Sequence, residues 1–177
     1  MNVKFPPIDK MMKKLNDAFE SIEGRTLNGM RKVGLLILRD MENTPPLIPR
    51  EYGNLINSRY LVSSTGKISM GGAKTAYGST SEYYRTSTFK GPKAAKLASI
   101  HRQMITARAA AAAVQGARIG GPLVEFGFTM PYAVYVHERY EAKKWRRPNS
   151  GPGFLSAAIG RNITTGLDLM AKEARVK

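Results

Sequence analysis

Residues 8–42 constrain the fold more than any other stretch of the chain. Ile8, Met12, Leu15, Phe19, Ile22, Met30, Val33 and Ile37 recur at steps of mostly three or four, the spacing that lines one face of an α-helix. The pattern predicts a single helix about 50 Å long. A helix with one apolar face needs a second layer to cover it. Pro6-Pro7 marks the start, and Asp9 places negative charge in the first turn, where it complements the helix dipole. Gly24 and Gly29 lower helix propensity in the middle, so a kink or a break into two helices is an open alternative. Thr44-Pro45-Pro46 ends the helix. Proline removes a backbone donor and excludes the helical region for the residue before it.

Shorter elements follow. Residues 46–57 read as a loop centred on Tyr52-Gly53-Asn54. Residues 59–64 read as a strand, and Thr65-Gly66 as a hairpin turn into Lys67-Ile68-Ser69-Met70. Val124–Phe128 and Ala133–His137 read as two further strands around the Thr129-Met130-Pro131 turn. In the second of these, Ala133, Tyr135 and His137 would share one face, and Val134 and Val136 the other. Residues 139–151 read as a basic loop. The last helix is expected to start near Pro152 with Ser150 as its cap. Its apolar stripe would be Leu155, Ile159, Ile163, Gly166, Met170 and Ala174. Gly160 and Gly166 weaken that helix, so packing must supply what propensity does not.

The middle of the chain differs in kind. Residues 71–91 are rich in Gly, Ser, Thr, Tyr and Lys, and residues 93–117 are rich in alanine. Residues 94–114 are helical on propensity, but Leu97, Ile100, Met104 and Ile105 make only a weak stripe. The net charge of the chain is +15, which favours a polyanionic partner. Residues 66–120 hold 9 basic and 1 acidic side chains, a difference of +8 and over half of the excess. The expected architecture is therefore α+β in one domain, residues 1–177. A small antiparallel sheet packs one face on the N-terminal helix and the C-terminal helix. Its other face is left for neighbouring subunits or solvent. Core segments 1–70 and 122–177 flank an inserted basic arm, 71–121.

Catalytic signals are sparse. The chain has no cysteine and two histidines, His101 and His137, so neither disulfides nor thiolate or His-rich metal sites are expected. His137 and Glu138 would point to opposite faces of a strand. No phosphate loop, dinucleotide fingerprint, zinc-protease helix or nucleophile elbow is present. The expectation is a non-enzymatic protein with no cofactor. No apolar run reaches the length of a membrane span, and the N-terminus lacks a signal-peptide core.

What remains is surface chemistry. Lys74, Arg85, Lys90, Lys93, Lys96, Arg102, Arg108 and Arg118 make the basic arm, with Tyr77, Tyr83, Tyr84 and Phe89 nearby. Three readings stand: phosphate gripping with base stacking, docking on an acidic neighbouring protein, or a solvated face. No motif for sequence-specific DNA reading is present. Lys143-Lys144-Trp145-Arg146-Arg147-Pro148 clusters basic charge around the single tryptophan, in residue types enriched as interface anchors. The alternative is that Trp145 covers the edge of the core.

Three segments then combine. The first runs Thr44-Pro45 to Tyr52-Gly53-Asn54-Leu55 and Ser58. The second is Tyr132-Ala133-Val134-Tyr135-Val136-His137-Glu138. The third is Pro152-Gly153-Phe154-Leu155 with Ala157-Ala158. Following a long N-terminal helix, in this order, they resemble the tail-completion (neck) proteins of long-tailed bacteriophages, also described as minor capsid or head–tail joining proteins. The likeness covers about two thirds of the chain, everything outside 71–121. Tyr52 stands where that family usually has threonine, His137 interrupts its valine–glutamate pair, and Arg139-Tyr140 replaces a common Gly-Thr.

The resemblance implies a structural virion protein of the head–tail junction, present in the host cytoplasm during assembly. It implies a homo-oligomeric, hexameric ring meeting tail-terminator or tail-tube proteins on one side. Head-side connector, adaptor or portal proteins would lie on the other, with contact to genomic DNA a further expectation. Arg50, Tyr52, Tyr132, Tyr135, His137, Trp145, Arg146 and Arg147 are the expected interface residues. The basic arm would reach a neighbouring ring. The alternative is a non-specific nucleic-acid-binding protein that uses the basic middle segment.

Overall fold

The computed structural model describes residues 8–49, 54–69, 92–138, 145 and 147–175. Helix α1 spans Ile8–Asn43, the short α2 Asn54–Asn57, strand β1 Arg59–Ser63 and strand β2 Ile68–Ser69. Helix α3 follows at Pro92–Ile119, strand β3 at Val124–Phe128, helix α4 at Ala133–Glu138 and helix α5 at Phe154–Ala174. The class is α+β, as the patterning predicts. Helix α1 is continuous, and neither Gly24 nor Gly29 breaks it.

The sheet has the order β2-β1-β3, with β1 antiparallel to both neighbours. Leu61 pairs with Phe126 and Ser69, and Val62 with Glu125 and Ile68. Thr65-Gly66 closes the β1–β2 hairpin, with Gly66 at a φ of 72°, a conformation that glycine adopts without a Cβ penalty. Alternation along β1 sends Leu61 to one face and Tyr60 and Val62 to the other. All five residues of β1 are buried.

On the Leu61 face lie α1 and α5, packed antiparallel to each other. Gly166 lies close against Val33, and Gly29 against Met170, so the glycines that weaken each helix in isolation allow the two axes to approach. A Cβ at Gly34 would fall 2.4 Å from Leu61 Cδ1, which sets α1 directly on β1. Ile37, Leu38 and Met41 of α1 join Ile48, Leu55, Ile56, Leu61, Ala133, Phe154 and Ala158 in the main core. Leu38 and Met41 are wholly buried. They fall off the single stripe read from the sequence because this part of α1 packs against the sheet and α5 together.

Several expectations are corrected. The second sheet face is not left for neighbours or solvent. Helix α3 covers it, and Ile105, Ala109 and Ala112 pack on Tyr60 and Val62. A Cβ at Gly116 would sit 2.3 Å from Ser64 Cβ, so small residues let α3 lie close on the hairpin. Residues 92–119 of the expected arm are thus a wall of the fold. Their weak stripe misleads because alanine buries a face while adding little to the apolar pattern.

Residues 133–137 are not a strand. They form α4, whose Ala133 is buried and whose Val136 and His137 are half-buried, the i, i+3, i+4 spacing of a helix. Two β-branched residues at alternate positions imitate a strand, but Pro131 opens a turn, closed by the Ala133 N–H donating to the Met130 carbonyl at 3.0 Å, that leads into the helix. The loop after α1 also holds α2 at 54–57, which an all-loop reading omits.

Ser150 does not cap the last helix. Gly153 precedes it with a φ of 69° and no side-chain cap bond, and Ser150 instead bridges to Leu47. Finally, Ile159 and Ile163 point outward. The buried line of α5 is Phe154, Ala158 and Gly166.

Candidate assembly surface

The three segments that carry the resemblance meet in one place. Ile48, Leu55 and Ile56 come from the first, Ala133 and Val136 from the second, and Phe154, Leu155 and Ala158 from the third. Phe154 is the hub. Its ring stands edge-on to Phe128 at 5.7 Å and to His137 at 4.9 Å, arrangements that suit aromatic quadrupoles. The backbone N–H of Gly153 donates to the His137 carbonyl at 2.7 Å, which ties α4 to the start of α5.

His137 is therefore half-buried against the core. Its Nδ1 is buried and makes no hydrogen bond among the described residues. Burial pushes the imidazole pKa below its ordinary value, and the charge of Glu138 opposes this only in part. Beside it opens a cleft of about 200 Å³ lined by Phe128, Ala133, Val134, His137, Phe154 and Leu155. Its walls are mostly apolar, so its chemistry suits an inserted apolar side chain.

Near this core, α4 and α5 each expose apolar side chains. Tyr132, Val134 and Tyr135 of the α4 region are exposed, Val134 by 61%. On α5, Ile159, Ile163 and Leu167 repeat every four residues, and Ile163 and Leu167 are 56% and 57% exposed. The sequence assigned Ile159 and Ile163 to the inner stripe, and Leu167 to neither. The signal for the outer stripe was present in the same spacing of four.

Other expected interface residues fall elsewhere. The Arg147 guanidinium donates to the Glu42 carbonyl at 2.6 Å and the Ile48 carbonyl at 3.4 Å, so it fastens the 145–150 segment to the end of α1. Trp145 is half-buried. Arg50, Tyr52, Arg146, Lys74, Arg85 and Lys90 lie outside the described residues, as do the side chains of Lys93 and Lys96.

Arg102, Arg108 and Arg118 are exposed on α3, a helix whose sequence contains no acidic residue. Arg108 pairs with Glu125 of β3 at 3.3 Å. Glu125 also accepts from the Tyr60 hydroxyl at 2.6 Å. Burial, followed by this carboxylate, raises the Tyr60 pKa above its ordinary value.

Two charged ties had no sequence signal, because their partners are far apart in the chain. Arg59 is buried in β1. It forms an ion pair with Glu42 and donates to the Ile56 carbonyl at 2.6 Å and the Leu38 carbonyl at 3.1 Å. Arg161 of α5 grips Asp40 at 2.6 and 2.9 Å and donates to the Pro45 carbonyl at 2.8 Å. Burial alone would raise the Asp40 pKa. Hydrogen bonds from Arg161, Thr44 and Asn162, with the charge of Arg161, outweigh it and hold the carboxyl below its ordinary value.

The unfolded chain thus takes up a proton at Asp40 before the folded one does, and stability falls as pH drops below about 4. Asp40→Asn is expected to lower stability at neutral pH and to flatten that acid limb. Urea midpoints measured across the pH range check it. An unchanged acid limb would mean the tie is too solvated to matter.

Among the described residues no three His, Asp or Glu side chains converge as a metal site requires, and no helix is long and apolar enough to cross a membrane. Comparison with protein-family models, with curated proteins and with solved structures finds no match.

Proposed function

We propose that the chain is a structural virion protein of the head–tail junction, a subunit of the neck ring that joins tail to DNA-filled head. The observation that carries this reading is the convergence of residues 44–49, 54–58, 132–138 and 152–158 on one core around Phe154. These are the segments that resemble the neck family. A shared core gives their order a physical reason. The exposed stripe Ile159, Ile163 and Leu167, with Val134 and Tyr135, supports it further. Exposed apolar side chains repeating along one helix face suit an assembly face better than a solvated one.

The basic residues of α3 fit an acidic neighbour at the junction. Removing residues 72–120 would not test this cleanly, because α3 covers Tyr60 and Val62. Ile163→Asp with Leu167→Asp is the better probe, since both side chains are already exposed. The double variant is expected to fold with an unchanged urea midpoint and to leave filled heads and free tails unjoined. Normal joining by the folded variant would remove this stripe from the interface.

A second reading, non-specific nucleic-acid binding, is favoured by Arg102, Arg108 and Arg118 on a helix without carboxylates. It predicts that the isolated chain retards DNA with an affinity falling steeply with salt.

A further inference from the structure

The sheet order β2-β1-β3 leaves the outer side of β3 without a neighbouring strand among the described residues. The register decides which groups lie there. The Ser64 N–H donates to the Leu123 carbonyl at 2.8 Å, and the Thr129 N–H to the Ser58 carbonyl at 2.9 Å. Between these bonds the pairing is one-to-one, from Val124 with Ser63 to Phe128 with Arg59. Residues of an antiparallel strand turn their backbone groups alternately to one side and the other. Leu123, Glu125, Gly127 and Thr129 therefore face β1. Val124, Phe126 and Phe128 turn their N–H and C=O groups outward, where no described residue bonds to them.

Open edges are ordinarily blunted by proline, lysine or a bulge. Val124–Phe128 has none of these, and its one charge, Glu125, is engaged by Tyr60 and Arg108. The apolar cleft opens at one end of this edge. Gly127 and Phe128 of β3 form one wall, and Ala133, Val134 and His137 of α4 another. The side chains of Val124, Phe126 and Phe128 pack on the main core. A residue opposite Phe128 on an added strand points to that same face, and so meets the cleft.

These features select the occupant. Outward N–H and C=O groups at every second residue are matched by another extended backbone. A helix does not match them, because its backbone groups are bonded within itself. The described strands of a second copy do not supply the match either. Strand β3 of a copy would face the cleft with Val124, Phe126 or Phe128, which are already packed in their own core. Strand β2 has two residues, too few to reach all three outward positions, and β1 is flanked on both sides.

We propose that the outer edge of β3 and the cleft beside α4 take an extended segment of a partner protein, which adds to β3 as a further strand and seats one apolar side chain between Phe128 and Phe154. Backbone bonds supply the affinity, and the cleft supplies the selectivity. The groove needs no ring, so it stands apart from the junction reading.

Peptides of about seven residues, long enough to pass the whole of β3, are selected by phage display on the full chain, and the strongest is synthesised. Its binding is expected to slow hydrogen exchange of the Val124, Phe126 and Phe128 amides about tenfold. The Glu125 and Gly127 amides, already bonded to β1, should not change. N-methylation of alternate peptide bonds is expected to abolish binding in one phase and spare it in the other, because only every second N–H meets β3. Val134→Glu, at an exposed position on the cleft wall, is expected to keep its urea midpoint and to bind about tenfold more weakly. The proposal is overturned by a selection that enriches nothing, or by a bound peptide that leaves the three amides unprotected. Equal effects of the two N-methylation patterns overturn it too, as does a Val134→Glu variant that binds as tightly as the wild type. Protection that appears with protein concentration alone, before any peptide is added, would give the edge to a second copy and overturns it equally.

Discussion

Phe154→Ala is expected to destabilise the fold by about 3–5 kcal/mol, the usual range for emptying a buried aromatic site. Phe154 is wholly buried, and its ring faces both Phe128 and His137. Removing it opens a void between the sheet, α4 and the first turn of α5. Rigid elements surround that space, so collapse fills it only in part. Phe154→Leu keeps most of the volume and is expected to cost less than the alanine variant, by the difference in cavity left behind. Urea unfolding of both variants, beside Ile163→Ala as an exposed control, provides the scale. A loss at Phe154 no larger than at Ile163 would mean that the three segments do not share this core.

Arg59→Met should come next in size, at about 3 kcal/mol. The guanidinium sits in the middle of the protein and satisfies the Glu42 carboxylate together with the Leu38 and Ile56 carbonyls. Methionine fills much of the volume but donates nothing, and acceptors left without donors carry the full cost of desolvation. Part of the loss belongs to Glu42 alone. Glu42→Gln combined with Arg59→Met should therefore be less destabilising than the sum of the two single changes. Strict additivity would show that the ion pair contributes nothing beyond its separate hydrogen bonds.

Both effects sit at positions that the sequence revealed unequally. The hydrophobic period from Ile8 to Ile37 announced α1, and the prolines at 45 and 46 its end, because period and backbone chemistry are local properties. Strands β1 and β3 were legible for the same reason. Phe154 stood in the third segment of the resemblance but off the apolar stripe expected for the last helix, which began at Leu155.

Arg59 was not legible. A lone arginine opening a strand looks solvated until α1 folds back and brings Glu42 beside it. Helix α3 was half legible. Its alanines predicted a helix, but burial through Ile105, Ala109 and Ala112 leaves almost no apolar contrast in the sequence, so a wall of the core read as an arm.

The candidate surface divides along the same line. Tyr132 and Tyr135 were found by residue type and are exposed. Arg147 and His137 were chosen on the same grounds, yet Arg147 donates to the Glu42 and Ile48 carbonyls and the His137 ring packs edge-on to Phe154. The outer stripe of α5 was misassigned through its spacing. Positions four apart line a face, but which face is inner is decided by where Val33 and Asp40 of α1 lie. The stripe Met12, Leu15, Phe19 and Ile22 of α1 read as a covered face for the same reason, yet it is exposed, since periodicity records an apolar face without recording what lies against it.

The junction assignment is tested most directly by electron microscopy of purified virus particles with this chain labelled. The account predicts label confined to the neck, between head and tail, in every joined particle. Particles without the chain, or label spread over the capsid shell or along the tail, would contradict it.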